Sequence, residues 1–96
     1  MTFTALVASP LLIPHVRTPG GRGGRRICAG TLDGDWALQV ATGGGRMPSV
    51  TPYATPLALV HAYNAALRDA RRAGLTSAPE PVQLTLDALR AAGAEL

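Results

Sequence analysis

The stretch that decides the fold is RRICAGTLDGDWALQVAT, which runs from Arg25 to Thr42. Asp33-Gly34 at its centre is a favoured pair for a type I′ turn, because both residue types tolerate a positive φ. A two-residue loop at this position sets the register, so that Ile27 lies opposite Val40. One side of the hairpin is then apolar and contains Ile27, Ala29, Thr31, Trp36, Leu38 and Val40. The other side contains Arg26, Cys28, Gln39 and Ala41. The stretch therefore predicts an antiparallel hairpin with one side in the core.

Weaker strand signals flank the predicted hairpin. Thr2–Ala8 (TFTALVA) is rich in β-branched and apolar residues, and Ser9-Pro10 should bend or end the strand. Leu11–Val16 can resume as an edge strand or a bulged strand. Met47–Tyr53 is either an edge strand or irregular structure, because its two prolines cannot donate to a sheet ladder.

A long helix is predicted at about 56–73. Thr55 is a good N-cap, Pro56 suits the first helical position, and Gly74 suits the C-terminal stop. The helical period predicts a buried stripe of Leu59, Val60, Tyr63, Ala66, Leu67 and Ala70. It places His61, Asn64, Arg68, Arg71 and Arg72 on the opposite side.

A second helix is predicted at about 78–92. Ser77 and Glu80 have the spacing of a capping box, and prolines are tolerated in a first turn. Its apolar stripe consists of Val82, Leu86 and Leu89, and Gly93 ends it. Together these elements predict a single α+β domain over residues 1–96. A small antiparallel meander of three or four strands is packed by the two C-terminal helices.

Composition bounds the class of protein. Of the 96 residues, 47% are hydrophobic and 16% are charged, which argues against disorder. All nine basic residues are arginines, so Schiff-base and Walker A lysines are excluded. The glycines and serines match neither a nucleotide-binding loop nor a nucleophile elbow. We therefore predict a protein that is not an enzyme and has no cofactor or bound metal.

Cysteine usage and hydropathy bear on the compartment. Cys28 is the only cysteine, so no internal disulfide forms, as is usual in a reducing compartment. No apolar run approaches the roughly 18 residues that span a membrane. The apolar opening segment lacks a basic start and is interrupted by Pro10, so we interpret it as a strand. We expect a cytoplasmic protein with no membrane contact.

Positive charge is concentrated in the first half of the chain. Arg17, Arg22, Arg25, Arg26 and Arg46 stand there against Asp33 and Asp35. In a meander, the glycine-rich segments that carry these arginines lie at one end of the sheet, with the two aspartates at the far tip. Arginine forks bind phosphate oxygens, so this cluster is a candidate nucleic-acid or anion site. The alternative is that 17–25 is only a flexible, solvated loop. The exposed helix face with His61, Arg68 and Arg72 is a secondary basic candidate.

The layout resembles that of HicB-like antitoxins. The resemblance is carried by FTALVAS (Phe3–Ser9), DGDWALQV (Asp33–Val40), the threonine-led helix Thr55–Gly74 and the exit Pro79-Glu80-Pro81. It implies a small sheet with one long helix, an oligomer, and the neutralisation of a small RNA-cleaving toxin. PSVTPYAT stands where the family has a Pro-Gly-Cys segment, and no functional residue carries across. The order of strands and helix also resembles the N-terminal DNA-binding domains of some phage integrases.

These observations leave three hypotheses. The first is a small regulatory binding protein, antitoxin-like or inhibitor-like, whose partner is a protein and which forms a homodimer through surplus apolar residues. The second is a nucleic-acid-binding accessory protein of a phage or mobile element that uses the arginine cluster. The third is a virion or assembly component.

Overall fold

The computed structural model describes residues 2–15, 23–43 and 47–96. Its elements are β1 (Phe3–Ala8), β2 (Ile13–Pro14), β3 (Arg25–Leu32), β4 (Asp35–Thr42), β5 (Ser49–Pro52), α1 (Pro56–Arg72), β6 (Leu75–Thr76) and α2 (Leu86–Ala91). β1, β3, β4 and β5 form an antiparallel sheet in the order β1-β3-β4-β5, and β2 pairs with β6. The predicted α+β class is confirmed.

The central hairpin has the predicted register. Ile27 pairs with Val40, and Asp33 and Gly34 have φ angles of 51° and 89°, as the type I′ turn requires. The side that faces α1 and α2 supplies Ile27, Ala29 and Leu38 to the core. We call it the helix side, and we call the opposite side, with Arg26, Cys28, Gln39 and Ala41, the open side. Local turn chemistry therefore decides which side chains enter the core.

β1 reaches the core through a bulge. Ala5 pairs with Gly30 and Val7 with Ala29, so Leu6 is an extra residue in the strand. The bulge lets Leu6 and Val7, although adjacent, both pack against the core. Gly30 is needed opposite the bulge, because a Cβ there would overlap the carbonyl oxygen of Thr4.

A hydroxyl group continues the ladder beyond β1. Ser9 is buried, its N–H donates to the Ile27 carbonyl at 2.8 Å, and its Oγ accepts from the Ile27 N–H at 2.9 Å. The chain then rejoins β3 at Leu12, which exchanges two backbone hydrogen bonds with Arg25. Pro10 is thus accommodated at an irregularity of an edge strand, in agreement with the sequence prediction.

The other edge of the sheet is β5, which confirms a strand within Met47–Tyr53. The N–H of Tyr53 donates to the Trp36 carbonyl at 2.8 Å. Because amide groups alternate along a strand, the backbone of Pro52 and of Pro48 faces away from β4. The prolines therefore remove donors from the free edge, which hinders pairing with a further strand.

α1 begins as predicted, because Thr55 Oγ1 accepts from the Ala58 N–H at 3.1 Å and Gly74 has a φ of 82° after the last turn. The exposed position predicted for Asn64 is wrong. Asn64 is buried, and its amide makes both possible hydrogen bonds with the Leu84 backbone, accepting from N–H at 2.7 Å and donating to C=O at 3.0 Å. A neighbouring segment covers this part of the helix, which the helical period alone does not reveal.

α2 is shorter than predicted, because it covers Leu86–Ala91 rather than 78–92. The prolines at 79 and 81 disfavour helical backbone at the residues before them, and the Ser77 hydroxyl donates to the Pro79 carbonyl instead of capping a helix. Thr85 is the N-cap, with Oγ1 accepting from the Ala88 N–H. Val82, predicted in the apolar stripe, is 83% exposed, whereas Leu89 is fully buried.

Candidate polyanion interface at one end of the sheet

One end of the sheet is built where β3 begins and β4 ends. Arg25 pairs with Thr42, and the Gly43 N–H donates to the Gly24 carbonyl at 2.7 Å. The described residues next to both glycine-rich segments therefore meet, as the meander predicted. We call this the arginine end, and it consists of Leu12–Pro14, Gly23–Arg26 and Thr42–Gly43. The other three candidate arginines, Arg17, Arg22 and Arg46, lie outside the described residues.

Arg25 and Arg26 are neighbours in β3 and so project to opposite sides of the sheet. Arg25, predicted to belong to a loop over 17–25, is half-buried and belongs to the strand instead. Arg26 is exposed on the open side. Neither guanidinium forms an ion pair with another described residue. A ligand that contacts both arginines must therefore pass around the end of the strands and touch both sides of the sheet.

Arg26 acts electrostatically on Cys28, two residues along on the same side. Burial raises the pKa of the Cys28 thiol, and the Arg26 guanidinium opposes that rise only in part. The thiol therefore stays protonated near neutral pH, a poor state for a nucleophile or a metal ligand. Within the described residues no group of His, Cys, Asp and Glu could hold a metal ion.

α1 carries a second group of arginines towards the arginine end. The chain leaves β5 beside Trp36, near the hairpin turn, and α1 then extends for 17 residues, or about 25 Å. Immediately after α1, the Gly74 carbonyl accepts from the His15 N–H at 2.9 Å. β6 then pairs with β2, which directly follows Leu12. The last turns of α1 therefore finish near Arg25.

The predicted basic face of α1 is exposed at all three of its residues, His61, Arg68 and Arg72. Arg68 and Arg72 lie in the last two turns, near the arginine end, whereas His61 lies near the middle of α1. Arg71 adjoins them and pairs with Glu80 at 3.1 Å. Cations in a last helical turn also complement the helix dipole, so Arg71 and Arg72 favour the helix as well.

Acidic residues gather at the opposite end of the sheet. Asp33 and Asp35 flank the hairpin turn, and Glu95 shares the lining of a cavity with Gly34 and Trp36. The fold thus separates charge along the strands only in part: the arginines of β3 and α1 stand at one end, where Asp69 and Glu80 also lie, and Asp33, Asp35 and Glu95 stand at the other. Such a separation orients the molecule in the field of a polyanion.

The connection that brings the end of α1 towards the arginine end has no signal in the sequence. β2 and β6 contain two residues each, Ile13–Pro14 and Leu75–Thr76. Strands this short have no periodicity, so only the folded chain reveals their pairing.

None of the described helices is long and apolar enough to cross a membrane.

The chain matches no family model, no curated protein and no solved structure. The resemblances to HicB-like antitoxins and to integrase DNA-binding domains therefore stay predictions.

Proposed function

We propose that this protein is a non-enzymatic nucleic-acid-binding protein that contacts the phosphate backbone with its arginine end. The observation that supports the proposal is the path of α1, whose C-terminal arginines finish towards the same end of the sheet as the β3 arginines and away from Asp33 and Asp35. Arginine is suited to this role, because its planar fork donates to phosphate oxygens bidentately and keeps its charge at any physiological pH.

The availability of these side chains supports the proposal further. Within the described residues, Arg25, Arg26, Arg68 and Arg72 have no carboxylate partner. They stand on a strand and a helix, whose backbones hold them in place better than a loop does. The net charge of +3 favours association with a polyanion over the whole surface.

The test is salt-dependent binding to a labelled DNA duplex and to a labelled single-stranded RNA, followed by fluorescence anisotropy. Each phosphate contact contributes about −0.9 to the slope of log K against log salt on duplex DNA. The double variant R26A/R72A should make that slope shallower by about two contacts. The matched control is R90A, which removes a guanidinium already paired with Asp87 on α2. No binding of either nucleic acid at about 50 mM salt would refute the proposal.

A second candidate function is a regulatory binding protein, antitoxin-like or inhibitor-like, whose partner is a protein. It is favoured by the open side of the sheet, where neither described helix packs and where the partly exposed side chains of Phe3, Leu32 and Val50 lie. Apolar side chains on an uncovered sheet face are typical of an interface with another chain. A homodimer through the same face remains a prediction.

Two matched glutamate substitutions test this candidate. Ala8 is exposed and shares the open side with Cys28, whereas Thr51 is exposed on the helix side beside Leu38. A8E should weaken self-association measured by analytical ultracentrifugation, while T51E leaves it unchanged. A wild-type chain that stays monomeric at the highest soluble concentration would contradict the homodimer.

A further inference from the structure

A groove lies between the C-terminal half of α1 and the segment 81–84 that runs beside it. Its volume is about 180 Å³, whereas roughly 15 Å³ is enough to hold one water molecule. The groove is lined by Asn64, Leu67, Arg68, Arg71, Pro81 and Gln83. Two of these residues, Arg68 and Arg71, belong to the basic C-terminal half of α1, which runs towards the arginine end.

Buried hydrogen bonds form the groove before any ligand arrives. The Asn64 amide holds both backbone groups of Leu84, at 2.7 and 3.0 Å, and all of these atoms are buried. Pro81 is also buried and stiffens the opposite wall. A ligand therefore meets a fixed cleft and need not order a loop, which lowers the entropic cost of binding.

The polar groups that line the groove are mainly donors. Arg71 Nη2 donates to the Pro81 carbonyl at 3.3 Å and contacts Glu80 Oε1 at 3.1 Å, which holds the guanidinium across the cleft. Arg68 lies one turn earlier on α1, and its guanidinium donates to no described acceptor. Gln83 is exposed and adds an amide donor. Arg71 is thus already paired, whereas Arg68 has no described protein acceptor, and an anion in the groove would accept a charge-assisted hydrogen bond from it.

We propose that this groove binds a phosphate group of the nucleic acid, with Arg68 as the main donor and Arg71 and Gln83 as its partners. Leu67 and Pro81 form the apolar part of the lining, where the carbon atoms of the attached sugar would pack. The inference rests on the proposed function for the identity of the ligand. It adds a defined subsite to a surface that otherwise acts only through its charge.

Glu80 opposes the ligand at this site. Its carboxylate is paired with Arg71, and a phosphate brings a second negative charge to the same guanidinium. Glu80→Gln removes this competition and keeps the size of the side chain. The variant should therefore bind phosphate more tightly, by about threefold for a surface ion pair of this exposure. A gain in affinity is a result that misfolding cannot imitate.

The experiment is an NMR titration of the full chain with inorganic phosphate, and with one short oligonucleotide bearing either a 5′-phosphate or a 5′-hydroxyl. The side-chain amide signals of Asn64 and Gln83, the Leu84 N–H and the Arg68 Nε–H report on the groove. Sodium chloride at matched ionic strength controls for general screening. R68A should weaken phosphate binding about tenfold, and the control R90A by less than about twofold.

The oligonucleotide pair identifies the source of the phosphate. If only the 5′-phosphorylated form shifts the groove signals, the groove binds a terminal phosphate; if both forms shift them, it binds the internal backbone. Groove signals that stay in place while nucleic acid binds elsewhere overturn the inference and leave the proposed function intact. Equal affinities of R68A and R90A also overturn it. Groove signals that respond to inorganic phosphate in a protein that binds no nucleic acid refute the proposed function and, with it, nucleic acid as the source of the phosphate, but they leave the groove as a phosphate site.

Discussion

Replacing Asn64 by alanine is expected to be among the most destabilising changes in α1. The Asn64 amide pairs with both the N–H and the C=O of Leu84, at 2.7 and 3.0 Å, in a buried position. Alanine leaves two buried backbone groups without partners, and each costs about 1–3 kcal/mol. We therefore expect a loss of about 3 kcal/mol in the free energy of unfolding. Each kcal/mol lowers Tm by about 4–8 °C in a domain of this size, which gives a fall of about 12–24 °C.

The measurement is thermal and urea unfolding by circular dichroism, with hydrogen exchange of the Leu84 N–H as the local reporter. Gln83→Ala is the matched control, because it removes the same chemical group from an exposed neighbouring position. It should change the free energy of unfolding by less than about 0.5 kcal/mol. If N64A is no less stable than Q83A, or if the Leu84 N–H keeps its protection from exchange in N64A, then the two hydrogen bonds between Asn64 and Leu84 do not hold segment 81–84 to α1.

Aspartate at the same position separates the two hydrogen bonds. Its carboxylate still accepts from the Leu84 N–H but faces the Leu84 carbonyl without a proton to donate. Burial raises the pKa of such a carboxyl above the unfolded value of about 3.9. The protonated carboxyl of the variant stabilises the folded chain, because it can donate to the Leu84 carbonyl. This contribution to the free energy of unfolding is complete below the carboxyl pKa of the unfolded chain and is lost as the pH rises through the carboxyl pKa of the folded chain. The stability deficit of N64D relative to wild type should therefore shrink between pH 7 and about pH 4.

Two further predictions concern the sheet. Gly30→Ala should lower the free energy of unfolding by about 2–3 kcal/mol, because its Cβ would overlap the backbone of Thr4. Gly24→Ala is the control, since its Cβ would meet the end of the Leu11 side chain at 3.3 Å and the Leu12 carbonyl oxygen at an ordinary contact distance of 3.8 Å. Urea unfolding of the two variants checks this, and equal stabilities would contradict it. The raised pKa of Cys28 predicts that iodoacetamide at about pH 8.5 reacts more slowly with the native chain than with the urea-unfolded chain. Equal alkylation rates of the native and unfolded chains would refute the burial argument. The same raised pKa also predicts a pH dependence of the free energy of unfolding. The contribution of the buried thiol to that free energy is complete below the pKa of the thiol in the unfolded chain and is lost as the pH rises through its pKa in the folded chain.

Most of the fold was predictable where neighbouring residues determine the structure. The Asp33-Gly34 turn and the alternation beside it predicted the register of β3 and β4 correctly, because a tight turn leaves one pairing that buries the apolar side. The start of α1 followed from Thr55 and Pro56 for a similarly local reason. The late start of α2 was also encoded locally, because Pro79 and Pro81 disfavour helical backbone at the residues before them, and this outweighs the capping-box spacing of Ser77 and Glu80.

The candidate site was predictable in part. The sequence predicted that the segments carrying the first-half arginines would leave the same end of the sheet, and the Gly43–Gly24 hydrogen bond agrees with that topology. It did not predict that Arg25 and Arg26 fall on opposite sides of a strand. Nor did it place the end of α1, with Arg68 and Arg71, towards the same end of the sheet, because that depends on β2 pairing with β6 across a long separation in the chain.

The sequence by itself determined the hairpin register, the helix side of the sheet and the extent of α1, because turn, cap and periodicity signals act within a few residues. Tertiary structure decided the burial of Asn64, the groove beside Arg68, and the placement of the last turns of α1 towards the same end of the sheet as Arg25 and Arg26. These features depend on contacts between segments far apart in sequence, above all Asn64 with Leu84 and His15 with Gly74. Such pairings are selected by the packing of the whole core, and no local pattern in the sequence encodes them.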